Sequence, residues 1–118
     1  MATITPAAAV IAGATITRVA STPAGDVVPW GGSDLLLHFE NGHDSSITVS
    51  VAPTQSTAIV PGVGSVSVPT RSIAIAATAE AAMLFKASEI SAYLNSLRQI
   101  PITYTSGNAA LTVMALTV

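Results

Sequence analysis

Residues 25–51 read GDVVPWGGSDLLLHFENGHDSSITVSV, and two patterns within them decide the fold. Leu35, Leu37 and Phe39 alternate with Leu36, His38 and Glu40. Beyond a polar turn that opens on Asn41-Gly42, Ile47, Val49 and Val51 alternate with Thr48 and Ser50. Side chains on a strand point to opposite faces in turn, so each run offers one face to a core and one to the outside. Together they predict two paired antiparallel strands, Ser33–Glu40 and Ser46–Ala52. Asn41-Gly42 tolerates positive φ, and the stretch from Asn41 to Ser46 allows a loop longer than a two-residue hairpin. No group of side chains in this stretch could do chemistry, which directs attention to a surface.

Outward from this stretch the same alternation recurs between breakers. Val10–Ala20 reads as a first strand, followed by a loop, Ser21–Gly32, that carries Pro23, Gly25, Pro29, Gly31 and Gly32. Pro53 closes the strand before it. Ser56–Val60 reads as a short strand, and Pro61-Gly62 suits the centre of a type II turn, with Pro fixing φ and Gly accepting φ > 0. Ser65–Val68 and Arg71–Ala77 follow, with Ile73 and Ile75 on one side. Residues 77–99 carry two signals. Ala79, Ala81, Met83 and Phe85 alternate with Glu80, Leu84 and Lys86. Ile90, Tyr93, Leu94 and Leu97 instead fall on one helical face, with Ser88 as a cap, which predicts one to three helical turns between residues 88 and 98. Pro101 stops any helix before it. Ile102–Thr105 and Ala110–Val118 are the last strands, about a Ser106-Gly107-Asn108 turn. The apolar final strand should be central in a sheet or covered by a neighbour. Seven or eight short strands at spacings of roughly 8–12 residues predict an all-β chain, a single-domain antiparallel β-sandwich of jelly-roll-like form over residues 10–118. An extended arm, residues 1–9, precedes it, with Pro6 preventing an early helix.

Composition narrows the function. The 118 residues are half apolar but only 4 % aromatic, so the core must be Val, Ile, Leu and Ala with few large anchors. Charged residues make up 8 % of the chain, against about 25 % in soluble proteins. There is a single lysine, Lys86, although sheets ordinarily guard their edges with such charges. The expectation is a surface covered by a partner or by further copies of the chain. Arg18, Arg71, Lys86 and Arg98 are scattered and the net charge is −2, a poor match to a phosphate backbone, so no nucleic acid is expected. There is no cysteine for a disulfide or a thiolate metal site. Ala7–Ala14 is apolar, but it lacks a preceding basic residue and is broken by Gly13, so no export signal is read. No apolar run approaches the ~20 residues of a membrane helix.

The candidate chemical groups weaken on inspection. His43-Asp44-Ser45 holds the residue types of a hydrolytic triad, but adjacent side chains in a turn diverge. His38 and Glu40 share a strand face and could begin a metal site, yet His43 is the only other histidine. Glu80 and Glu89 have nothing to bring them together as a carboxylate pair. Gly62-Val63-Gly64 lacks the strand-to-helix setting of a phosphate loop. Trp30, in a Pro-Trp-Gly-Gly loop, fits both a binding anchor and a lid over one end of the core. No catalytic residue, metal, cofactor or small-molecule substrate is expected, and the chain is not read as an enzyme.

Three segments, taken in order, resemble a family of small bacteriophage virion proteins encoded close to the major capsid protein. They are MATITP with AGATITRVA; GDVVPWGGSDLLLHFENG followed by ITVSVAP; and VPTRSIAI followed by IPITYTSGNAALTVMALTV. That family commonly has a Gly-Pro-Phe-Pro-like run where this chain reads AEAAMLFKA. The resemblance implies a β-sandwich decoration, or cement, protein on the outer surface of an icosahedral head. It would be assembled in host cytoplasm, bind the major capsid protein and often form a homotrimer. Candidate interface residues are Thr3, Ile4 and Pro6 on the arm and Val28, Pro29 and Trp30 in the glycine-rich loop. Rival readings are another virion component (tail, collar or head-fibre base) and a carbohydrate-binding adhesion module.

Overall fold

The chain is a long hairpin rolled up on itself. A computed structural model describes residues 2–8, 18–54 and 57–117. In chain order its strands are β1 (Ala2–Thr3), β2 (Ala7–Ala8), β3 (Val19–Ala20), β4 (Asp26–Pro29), β5 (Leu35–Asn41), β6 (Ile47–Val51), β7 (Thr57–Val60), β8 (Gly64–Ser67), β9 (Arg71–Ile75), β10 (Glu80–Phe85), β11 (Gln99–Thr105) and β12 (Leu111–Thr117), with one 3-10 turn at Ile90–Tyr93. Pairing is nested and antiparallel: β3 with β12, β4 with β11, β5 with β10 and β6 with β9. The β7–β8 hairpin is the tip of this long hairpin. Rolling adds the contacts β5–β12 and β6–β11. Two antiparallel sheets result, β4-β11-β6-β9 and β10-β5-β12-β3, the strand order of an eight-stranded jelly roll.

The core lies between the sheets. Leu35, Leu37 and Phe39 of β5 and Ile47, Val49 and Val51 of β6 are all fully buried, as their alternation requires. Val28, Met83, Phe85, Ile100, Ile102, Leu111 and Val113 complete it. Each such side chain contributes roughly 1.5–3 kcal/mol by leaving water. The final strand β12 is covered along both sides, by β5 on one and by β2 and β3 on the other.

Several expectations need correction. β5 and β6 are not paired with each other; they lie in opposite sheets and face across the core. Alternation reports which face is buried, not which strand is alongside. The connection is a sheet-to-sheet corner built on Asn41. Its buried amide nitrogen donates to the carbonyls of Ser45 and Ile75, both at 2.9 Å, and its oxygen accepts the His43 N–H at 2.9 Å. β11 and β12 also lie in opposite sheets, with Ser106 at φ 59° in the turn between them. The expected loop 21–32 contains β4, because Val28 fills an inner position between glycine breaks. β11 starts at Gln99 and includes Pro101, which is tolerated because the β6 ladder begins only at Thr103. The helical signal yields one 3-10 turn, with Glu89 rather than Ser88 at the cap position and no side-chain cap. The Asn95 side chain redirects the chain by accepting the Leu97 and Gln99 N–H groups. Most of the expected first strand, Val10–Ala20, lies outside the described residues; Val19–Ala20 is strand.

The arm lies on its own sandwich. Ala2–Thr3 runs parallel to Asp26–Val27 on one sheet, and Ala7–Ala8 runs parallel to Leu116–Thr117 on the other. Between them Ile4 is 1 % exposed and donates its N–H to the Val27 carbonyl at 2.8 Å. One side of the sandwich is thereby closed, and two strand edges that would otherwise be open are covered.

Candidate interaction surface

The strands place the loops at two ends of opposite character. Residues 21–25, 42–46, 76–79 and 106–110 gather at one end; residues 30–34, 52–54, 57–70 and 86–98 gather at the other.

The first end is locked by buried hydrogen bonds. Asp26 is fully buried; its two carboxylate oxygens accept the Thr22 N–H at 3.1 and 3.3 Å, and it takes the Tyr104 hydroxyl at 2.6 Å. Burial pushes the Tyr104 hydroxyl well above its ordinary 10.0, and the Asp26 hydrogen bond and negative charge push it further. Gly25 sits at φ +120°, and a Cβ there would stand 2.9 Å from the Ile102 carbonyl oxygen. A Cβ on Gly107 would crowd Tyr104 Cβ at 3.1 Å. Ser21 donates to the Asn108 carbonyl at 2.9 Å. The Gly25-Asp26, Asn41-Gly42 and Thr103-Tyr104-Thr105-Ser106 segments therefore serve the fold at this end.

The groups weighed for chemistry are separated or otherwise engaged. Arg18 contacts His38 Nδ1 at 2.7 Å, Glu40 at 3.4 Å and Glu80 at 3.9 Å. Glu40 and Glu80 are directly opposite in register, so Arg18 relieves a like-charge pair and occupies the place a cation would need beside His38. His43 and Asp44 approach to 3.4 Å in an exposed turn. Glu80 and Glu89 stand at opposite ends of the sandwich. Among the described residues no three His, Asp or Glu side chains could hold a metal ion, and no helix is long and apolar enough to cross a membrane.

The second end is apolar and open. The described large hydrophobic side chains most exposed to solvent are Ile59 at 84 %, Leu97 at 74 %, Val63 at 72 %, Leu84 at 42 % and Val66 at 41 %. Ile59, Val63 and Val66 belong to the β7–β8 hairpin, Leu97 to the 86–98 loop, and Leu84 to the last turn of β10 before that loop. Leu84 continues in register through Leu36 to Leu116 across the outer face of its sheet. Among the described residues the hairpin pairs with no other strand, and it carries no charge from Thr57 to Ser67. Gly62 at φ 81° and Gly64 at φ 99° make its tight tip, and Gly62 matches the φ a type II turn needs.

A cleft of about 420 Å³ separates the hairpin root from the 3-10 turn, lined by Ser67, Pro69, Arg71, Glu89, Ser91 and Tyr93 among others. Arg71 builds its wall. The guanidinium stands 4.6 Å from the Phe85 ring centroid, donates to the Leu84 carbonyl and pairs with Glu89 at 2.8 Å. The Tyr93 hydroxyl donates to the Pro69 carbonyl at 2.8 Å, and Thr54 donates its N–H to the Ala92 carbonyl at 2.8 Å. These bonds anchor the hairpin root to the 86–98 loop.

Of the residues named from the sequence, Ile4 and Val28 are buried in the chain's own core and present no surface to a partner. Thr3 is exposed, and Pro6, Pro29 and Trp30 are half-buried. The Trp30 ring nitrogen donates to the Ser33 carbonyl at 2.7 Å, and the Arg98 guanidinium covers the ring 5.1 Å from its centroid. That arrangement is a lid, and it belongs to the open end. Sequence reasoning set Leu97 on a helical face with Ile90 and Tyr93, whereas it is exposed, and it passed over Ile59, Val63 and Val66. The available signal was the absence of any charged residue between Asp44 and Arg71. No protein-family model, curated protein or solved structure matches this chain.

Proposed function

We propose that this chain is a structural virion subunit, a decoration protein that binds the outer surface of an icosahedral phage head and strengthens it through contacts with the major capsid protein. The observation that carries this reading is the gathering of exposed large hydrophobic side chains at one end of a charge-poor sandwich. Monomeric proteins keep such patches small, and larger ones mark contacts with other macromolecules. The ordered resemblance to small phage virion proteins supports the choice of partner. Many copies on a repeating lattice turn weak single contacts into firm adhesion through effective concentration. Self-association, with a homotrimer as the first candidate, belongs to the same proposal.

The test is co-sedimentation of the purified chain with decoration-free heads of the same virus at several salt concentrations. Saturable binding at hundreds of copies per head is the expected result. Binding at a handful of copies would favour a tail, collar or fibre-base part, and no binding under any condition would remove the proposal. A sugar-binding role would need open aromatic platforms; Trp30 lies under Arg98 and Tyr93 is buried.

A further inference from the structure

Resting on the decoration reading, we infer that the β7–β8 end is the face that meets the capsid, and that the capsid surface it meets is apolar at its centre and carries carboxylates around it. The apolar part follows from Ile59, Val63, Val66, Leu97 and Leu84, which share this end. A two-stranded hairpin is marginal in water by itself. Among the described residues β7–β8 pairs with no other strand, and its described large side chains stay out of the core. It gains most from a partner that covers it.

The charge of the partner follows from what is neutralised at this end and what is not. Both carboxylates here are engaged: Asp34 accepts the Ala87 N–H at 2.7 Å and Glu89 pairs with Arg71 at 2.8 Å. Lys86 and Arg98 are exposed, and among the described residues neither meets a carboxylate. They flank the apolar surface and, with Arg71, give this end three side-chain cations against two carboxylates among the described residues. The opposite end has the reverse balance: among the described residues the exposed carboxylates Glu40, Asp44 and Glu80 lie there with Arg18, which contacts Glu40 and Glu80. A carboxylate-bearing surface therefore attracts one end of the subunit and repels the other, which fixes its orientation on approach.

The experiment compares four chains on the same decoration-free heads: wild type, Val63→Asp, the double variant Lys86→Glu with Arg98→Glu, and Asp44→Asn at the far end. Circular dichroism and the urea midpoint establish that each is folded; Val63, at 72 % exposure, leaves the core untouched. Val63→Asp and the double variant should each weaken binding by about tenfold or more, while Asp44→Asn stays within about twofold of wild type. Wild-type binding should weaken with added salt, and the double variant should lose most of that dependence. A second measurement does not depend on variant folding. Carbodiimide coupling of the wild-type complex should join Lys86 to capsid carboxylates, read by peptide mass spectrometry. Equal binding by all four chains, or coupling only through Glu40, Asp44 and Glu80, would overturn the orientation and leave the decoration reading standing. Absence of wild-type binding would overturn both.

Discussion

Tyr104 and Asp26 show how single residues here act through burial. The carboxylate lies out of water and draws on the Thr22 N–H and the Tyr104 hydroxyl. Removing the Tyr104 hydroxyl takes away a hydrogen bond to a charged, buried group, a loss of about 1–3 kcal/mol. Tyr104→Phe should therefore lower stability by that amount near neutral pH, as read by urea denaturation. The pH dependence has a definite sign. The folded pKa of Tyr104 is raised above the unfolded value of 10.0, so its contribution is complete below that value and declines as pH rises beyond it. Wild-type stability should fall as the buffer is taken above about pH 10, and Tyr104→Phe should show a flatter curve there. An identical slope in the two proteins would contradict the role given to the hydroxyl. Gly25 acts through the backbone instead: its φ of +120° and the 2.9 Å approach to Ile102 leave no room for a side chain. Tyr104 is 78 residues from Asp26 along the chain, and the β4–β11 pairing brings it to the Gly25-Asp26 turn.

At the scale of elements, the β7–β8 hairpin and the jelly-roll strands have separate duties. Val68 packs against the core beyond the hairpin, whereas Ile59, Val63 and Val66 stand in solvent. Replacing residues 57–67 with a short Gly-Ser turn should leave the thermal midpoint within about 4 °C of wild type, since surface changes of this kind cost little. The same replacement should abolish head binding. A large drop in the midpoint would mean the hairpin is part of the folding unit. Residues 77–99 teach a related lesson about elements. Met83 and Phe85 point inward as their alternation implied, and Ile90 and Tyr93 are buried as the helical spacing implied, yet only one 3-10 turn forms. Leu97, the last member of that helical face, is exposed because Asn95 turns the chain before it. The two periodicities occupy successive segments: the alternation forms β10, and the helical spacing forms a single 3-10 turn that ends before the Asn95 turn.

For the whole molecule, the arm and the rolled hairpin set stability. Ile4 plugs the side of the sandwich that β1 and β2 close. Ile4→Ala should cost about 2–5 kcal/mol in urea denaturation, and it should raise aggregation on gentle heating, because the edges of β4 and β12 lose their cover. A variant as stable as wild type would mean that the arm contributes nothing to the isolated fold. By itself the sequence determined the all-β class, the inward faces of β5, β6 and β10, and the scarcity of charge, because each is a local property of spacing and composition. It also pointed to a surface rather than a chemical site as the place of interest. Which strands lie side by side was decided only by the tertiary structure: the turns at Asn41 and Ser106 carry the chain between sheets, and alternation is the same in a hairpin and in a corner. The apolar end had the same origin. Ile59, Val63, Val66, Leu84 and Leu97 are scattered along the chain, and they meet because a hairpin rolled about its own core brings its tip and two of its loops to one end.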